Sequence, residues 1–213
     1  PMNVTVAHAD LIATAKPSAE TVESARAIKS QIEKMTGIIR QLLDFARQKP
    51  PQKTKTDLLV VSGQTVDLLA SLARKQNVDV QLSSNGGPLT INADSGQIQQ
   101  ALTNLLMNAF QAMPDGGTVK LDLCRQMASP PTAADEDPCE CVRIDVRDEG
   151  VGIAPEDLEQ VFDPFFTTKD IGEGTGLGLS ITHGIVQEHG GWINVESQAG
   201  KGTCFSIYLP SNN

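Results

Sequence analysis

Gln97-Ile98-Gln99-Gln100-Ala101-Leu102-Thr103-Asn104-Leu105-Leu106-Met107-Asn108-Ala109-Phe110-Gln111-Ala112 contains no charged residue. Ile98, Ala101, Leu102, Leu105, Leu106 and Ala109 recur at steps of three and four, the apolar face of a helix. Gln97, Gln100, Asn104, Asn108 and Gln111 recur at the same steps and make a second face entirely of amides. A solvated helix face ordinarily carries Lys and Glu. Neutral amides suit a site that holds a polyphosphate: an Asn oxygen can ligate Mg²⁺, which prefers oxygen and usually also takes phosphate oxygens. An amide also sets no carboxylate against the phosphates. Taken alone, the stripe is equally compatible with an uncharged surface.

Downstream, a strand read from Val142 to Arg147 runs directly into Asp148-Glu149-Gly150-Val151-Gly152-Ile153. A carboxylate at a strand end can accept a hydrogen bond from an exocyclic amine such as N6 of adenine. Glycines at 150 and 152 let the backbone pass close to a flat ligand. The same residues would also make a plain Asp-Gly turn. Further on, Gly172-Glu173-Gly174-Thr175-Gly176-Leu177-Gly178-Leu179-Ser180 opens a helix. Backbone N–H groups in such a loop, with a helix N-terminus behind them, attract phosphate. No Gly-Lys-Ser/Thr follows, so it is not a P-loop. The preceding Phe162-Asp163-Pro164-Phe165-Phe166-Thr167-Thr168-Lys169 does not read as a strand, so it is not a Rossmann fingerprint either. A loop that orders over nucleotide, with Lys169 reaching a phosphate, fits this composition.

Around these segments, helices and strands mix without strict alternation. Strands are expected at Thr56–Leu59, Val78–Ser83, Leu89–Ala93, Thr118–Leu123, Trp192–Ser197 and Thr203–Leu209. Helices are expected at Val60–Lys75, Gly96–Ala112 and Leu177–His189, with a turn at Asn85–Pro88 and a mobile Pro-, Ala- and acid-rich loop at Met127–Glu140. The expected fold is α+β: one mixed sheet with helices on one face, a two-layer sandwich over residues 53–213. Residues 1–52 read as a separate helical hairpin. Val22, Ala25, Ile28, Ile32, Met35, Ile39, Leu42 and Ala46 form a coiled-coil-like seam, capped at Ser18 or Thr21 and ended by Pro50-Pro51. Asn3–Ala15 reads as the first helix and Pro17 as the turn. A hairpin this small cannot bury its seam alone, which points to a homodimer through a four-helix bundle. Packing onto the rest of the same chain is the alternative.

Composition narrows the partners. Of 213 residues 39% are hydrophobic and only 4% aromatic, so the core must be aliphatic. The net charge of −9 lacks the basic footprint of a nucleic-acid binder. No stretch reaches the roughly 18 apolar residues of a membrane helix. The expected location is cytoplasmic, with anchoring of a longer parent in an inner membrane left open. The chain begins at Pro1 and reads as a fragment. Cys139 and Cys141 lack partners at zinc spacing and read, with Cys124 and Cys204, as reduced thiols.

Taken together, the segments resemble the GHKL ATP-binding superfamily, and within it the two-component sensor histidine kinases. Asn104–Ala109 resembles the N box, Asp148–Gly152 the G1 box, Phe162–Phe166 the F box and Gly174–Gly178 the G2 box. Gly200–Phe205, ending at Leu209-Pro210, resembles the terminal strand. The likeness spans most of residues 56–210, and the hairpin before it resembles the dimerisation and phosphotransfer domain.

The resemblance implies a Bergerat fold that binds ATP and Mg²⁺ as a protein-histidine kinase. It implies Asn108 as the metal ligand, with Asn104 assisting near the phosphates. Asp148 would take adenine N6, supported by Thr203 through water, and Gly150 and Gly152 would shape the base pocket. Gly174, Thr175, Gly176, Leu177 and Gly178 would line the triphosphate, with Lys169 on it. A response-regulator receiver domain would be the phosphate's next acceptor. Pro1-Met2-Asn3 resembles the tail of the acceptor-histidine motif, which places the acceptor upstream of Pro1. His8, His183 and His189 are not assigned that role, the last two reading as helix-capping or packing residues. Hydrolytic members of the superfamily carry a Glu where this chain has Asn104, which favours transfer over hydrolysis. A GHKL ATPase and a nucleotide-binding pseudokinase are the rival readings.

Overall fold

The computed structural model describes residues 5, 12, 19–46, 50–85, 89–130, 138–169 and 174–211. The chain divides into two compact units, residues 1–48 with 167–177, and residues 49–166 with 178–213.

In the first unit, helix α1 spans Ala19–Ala46. Along its apolar row Ala25 is buried, whereas Ile28 and Met35 are about half exposed, at 47% and 53%. The first helix of the expected hairpin, Asn3–Ala15, lies outside the described residues apart from Thr5 and Ile12, so one long helix is seen and a hairpin is not.

The second unit begins with strand β1 (Thr54–Asp57) and helix α2 (Leu58–Lys75). The expected strand ran to Leu59, but Asp57 ends it by capping: its Oδ1 accepts from the Leu59 N–H at 3.0 Å. Strands β2 (Val78–Asn85) and β3 (Thr90–Ala93) precede helix α3 (Ser95–Ala112). Strands β4 (Gly117–Ala128) and β5 (Cys139–Asp148), helix α4 (Gly178–Glu188), and strands β6 (Trp192–Gln198) and β7 (Gly202–Pro210) complete it.

Two sheets form where one was expected. β1 pairs antiparallel with β3, and a five-stranded sheet runs β2-β4-β5-β7-β6. The expected turn at 85–88 therefore joins no hairpin; residues 86–88 themselves lie outside the description. β2 and β4 are parallel, joined by a connection containing β3 and α3, and the other pairs are antiparallel. The hairpin β4-β5 also reaches further than its apolar pattern suggested. Met127 pairs with Glu140 and Ala128 with Cys139, positions expected in the Pro-, Ala- and acid-rich loop. Backbone pairing continues there without an apolar side-chain signal. Of the expected mobile loop, residues 131–137 lie outside the description.

The core is aliphatic. Val119, Leu121 and Leu123 of β4, Val142, Ile144 and Val146 of β5, and Phe205, Ile207 and Leu209 of β7 face one side of the sheet. Leu102, Leu105, Leu106 and Phe110 of α3 and Ile185 and Val186 of α4 pack with them in the same cluster. The opposite sheet face is polar, carrying Lys120, Asp145 and Arg147, with Trp192 stacked on Tyr208 at 4.9 Å beside Arg143. All four cysteines are free thiols. Cys139 and Cys141 lie with their sulfurs 3.4 Å apart, and burial, then the hydrogen bond with Cys139, pushes the Cys141 thiol up to about 12.

Candidate nucleotide site

Asp148 is the last residue of β5 and is 5% exposed. Its Oδ1 accepts two backbone hydrogen bonds, from Gly150 N–H at 2.8 Å and Thr203 N–H at 3.2 Å. Both go to one oxygen, and among the described residues Oδ2 has no protein donor. Burial raises the carboxyl above its ordinary value, and the two N–H bonds pull it part-way back. The result is a held carboxylate with one lone-pair face open.

Glycines make this arrangement possible. A Cβ on Gly150 would lie 2.5 Å from the Ala112 carbonyl oxygen. Gly152 has φ +70, and its Cβ would lie 2.2 Å from the Gln198 oxygen. The loop is wedged between the end of α3 and the β6–β7 turn, where Val151 N–H donates to Ala112 O and Gly200 N–H to Val151 O. The room these glycines clear is taken by the protein's own backbone.

Thr203 meets Asp148 directly, through its own N–H. Its hydroxyl turns to Ser197 Oγ at 2.9 Å. Ser197 gives its hydrogen to the Gly202 carbonyl and accepts from Ile153 N–H, so Thr203 is the donor to it.

On α3, the amides at 97, 100, 104 and 108 are half-buried. Asn104 Nδ2 donates to the Gly178 carbonyl at 3.1 Å, at the first residue of α4, leaving its oxygen uncommitted. Thr182 Oγ1 donates to the same carbonyl. Asn108, one turn on, has no hydrogen-bond partner among the described residues. Two uncharged amide oxygens on one helix face fit a hard cation that shares its shell with phosphate. Gly178 is not forced by space, since its Cβ would make an ordinary 3.8 Å contact with Asn104.

The remaining candidates form their own cluster in the other unit. Lys169 N–H donates to Thr167 Oγ1, and a Cβ on Gly174 would lie 2.5 Å from that oxygen and 3.4 Å from the Lys169 side chain. Gly176 sits at φ +66, and Leu177 N–H donates to Thr175 Oγ1. Gly172 falls outside the described residues. The phenylalanines divide: Phe162 stacks on His183 at 5.3 Å and meets Phe205 edge-on, whereas Phe165 is 63% exposed at φ +69. His189 is buried and accepts from the Asp94 N–H at 3.0 Å, the packing role expected of it.

The structure thus unites Asp148, Gly150, Gly152 and Thr203, and joins Asn104 to Gly178. Sequence reasoning missed Gly202 and Ser197. Gly202 has φ +100, and its Cβ would collide with the backbone carbonyl oxygen of Asp148. The signal was present in Gly200-Lys201-Gly202, a tight-turn pattern just before the strand carrying Thr203.

Residues 93–213 match the model of the histidine kinase-, DNA gyrase B- and HSP90-like ATPases, a span that contains every residue of this cluster. The chain belongs to that ATPase family. Its similarity within the family is to histidine kinases. The catalytic domain of histidine kinase ThkA is 33% identical with a TM-score of 0.63, covering 76% of this chain and 97% of that one. ThkA in complex with response regulator protein TrrA is 26% identical with a TM-score of 0.73, covering 100% of this chain and 58% of that one. Sensor kinase CckA of Brucella abortus is 39% identical over 189 residues, 86% of this chain. The chain spans 20% to 39% of the length of the curated relatives it matches. No described helix of this ATPase domain and its flanking unit is long and apolar enough to cross a membrane.

Proposed function

We propose that this chain is the nucleotide-binding catalytic part of a sensor histidine kinase. It takes ATP, transfers the γ-phosphoryl to a histidine ring nitrogen, and so supplies an aspartate of a response-regulator receiver domain. The observation that carries the reading is the held Asp148 carboxylate with its free Oδ2, in the same unit as the two open amides of α3. Oδ2 accepts from the exocyclic amine of adenine. Asn108 and the Asn104 oxygen are the groups that would hold Mg²⁺, which neutralises charge on the phosphates. Lys169 and the N–H groups of residues 174–178 would add donors to the triphosphate. Phosphoryl transfer asks the protein chiefly for position and charge neutralisation, and these residues supply both.

Transfer is favoured over hydrolysis because Asn104 cannot serve as a base for water; its amide already donates to Gly178. Homodimerisation through α1 is supported by half-exposed Ile28 and Met35 in its apolar row. A cytoplasmic location follows from the reaction's need for ATP. Titration calorimetry tests the binding reading. Mg-ADP should bind the native chain, lose most affinity in Asp148→Ala, and lose its magnesium dependence in Asn108→Ala. Unchanged binding in both variants would refute the site.

A further inference from the structure

Asp94 holds three separate parts of the chain at once. It precedes α3 in extended conformation, and its Oδ1 caps that helix by accepting from Gly96 N–H at 3.0 Å and Gln97 N–H at 3.1 Å. Its Oδ2, which a cap does not need, accepts from Gln52 N–H at 2.8 Å. Gln52 lies where the chain enters the domain, two residues before β1. The Asp94 N–H donates to His189 Nε2 at 3.0 Å, and His189 Nδ1 lies 2.8 Å from the Ile185 carbonyl. A carbonyl only accepts, so Nδ1 carries the hydrogen and Nε2 the lone pair.

The placement relates this hub to the amides of the site. α3 and α4 are bonded at two points: Asp94 to His189 where α3 begins and α4 has ended, and Asn104 to Gly178 where α4 begins. The helix bearing Asn104 and Asn108 is therefore held against α4 at its own N-terminus and at its middle, and Gln52 is tied to the residue that makes the first of those bonds.

We propose that Asp94 is a positioning residue that couples the entering chain at Gln52 to the metal–phosphate amides of α3. The inference rests on the reading of Asn104 and Asn108 as the side of the site that meets Mg²⁺ and phosphate. An ordinary helix cap would use Oδ1 alone. Here the second oxygen makes displacement of residues 50–52 and displacement of the α3 N-terminus the same event, and coupling of this kind acts in both directions.

Two substitutions separate the tether from the cap. Asp94→Asn keeps an oxygen for Gly96 and Gln97 but turns Nδ2, a donor, toward the Gln52 N–H. Gln52→Pro removes the Gln52 hydrogen and leaves Asp94 untouched. Mg-ADP affinity should fall in each by roughly two- to tenfold, the net worth of one hydrogen bond, and the double variant should be no weaker than either single one. Reciprocally, Mg-ADP should slow hydrogen exchange of the Gln52 amide in the native chain and not in Asp94→Asn, a response that mere support of the helix does not produce. Native affinity in Gln52→Pro, or Gln52 exchange indifferent to Mg-ADP, overturns the proposal and leaves Asp94 a cap. Failure of the native chain to bind Mg-ADP at all would sink the nucleotide reading instead. In that case a Gln52 amide no better protected in the native chain than in Asp94→Asn overturns the tether as well.

Discussion

Replacing Asp148 by Asn should change which base the site accepts. Gly150 N–H and Thr203 N–H both bond to Oδ1. In the variant those two donors demand an oxygen at that position, so the amide oxygen is held there and Nδ2 takes the place of Oδ2. The free position changes from acceptor to donor. Against adenine N6, also a donor, the hydrogen bond is lost and two donors meet. A hydrogen bond to a charged group is worth about 1.5–3 kcal/mol net, so ATP or ADP should bind roughly 10- to 150-fold more weakly. A purine with a carbonyl at position 6 offers an acceptor there. GDP or IDP should therefore lose much less affinity than ADP, or gain. Competition calorimetry with ADP, GDP and IDP against native and variant chains measures the ratio. An equal loss for all three nucleotides, or none for ADP, refutes the argument that the orientation of this side chain sets the base.

The same residue gives a pH signature in the unliganded protein. Burial raises its carboxyl above the ordinary 3.8, so folding favours the protonated form. That contribution is fully present below 3.8 and is lost as pH rises through the raised value. Asp148→Asn should thus melt above the native protein at neutral pH, and thermal melts should converge near pH 4. Two nearby glycines should differ in how much they cost. Gly200→Ala has φ +75 with open space around it and should cost only about 1–2 kcal/mol. Gly202→Ala adds a collision with the Asp148 carbonyl and should cost more than about 3 kcal/mol in denaturant titrations. Phe110→Ala empties the largest fully buried side chain of the core and should cost about 3–5 kcal/mol by the same measurement.

Much of this molecule could be read in advance, and the unread parts have physical causes. The uncharged helix was legible because burial and ligand contact both forbid the charges a solvated face carries, and α3 shows its apolar and amide faces where expected. Asp148 was legible because it ends a strand and is followed by Gly150 and Gly152, a place where a carboxylate can meet a ligand's amine. The division into two sheets was not, since pairing of Thr54–Asp57 with Thr90–Ala93 is non-local and leaves no periodic trace. The extension of β4-β5 past Gln126 was hidden because backbone ladders do not need alternating side chains. The glycines were legible as special, but the backbone contacts that require them were not. A glycine that avoids Ala112 or Gln198 looks, in sequence, the same as one that admits a ligand. Asp94 was passed over because its second oxygen reaches a residue 42 positions away.

The most direct test of the central claim is to incubate the chain with γ-labelled Mg-ATP and a helical-bundle fragment that carries an acceptor histidine, then follow the label. Label should appear on the fragment, survive alkali and be lost in acid, as expected of phosphohistidine, and be absent with Asp148→Ala. Label released rapidly as inorganic phosphate, with none on the fragment and with turnover abolished by Asn104→Ala, would contradict it and make the site a hydrolase.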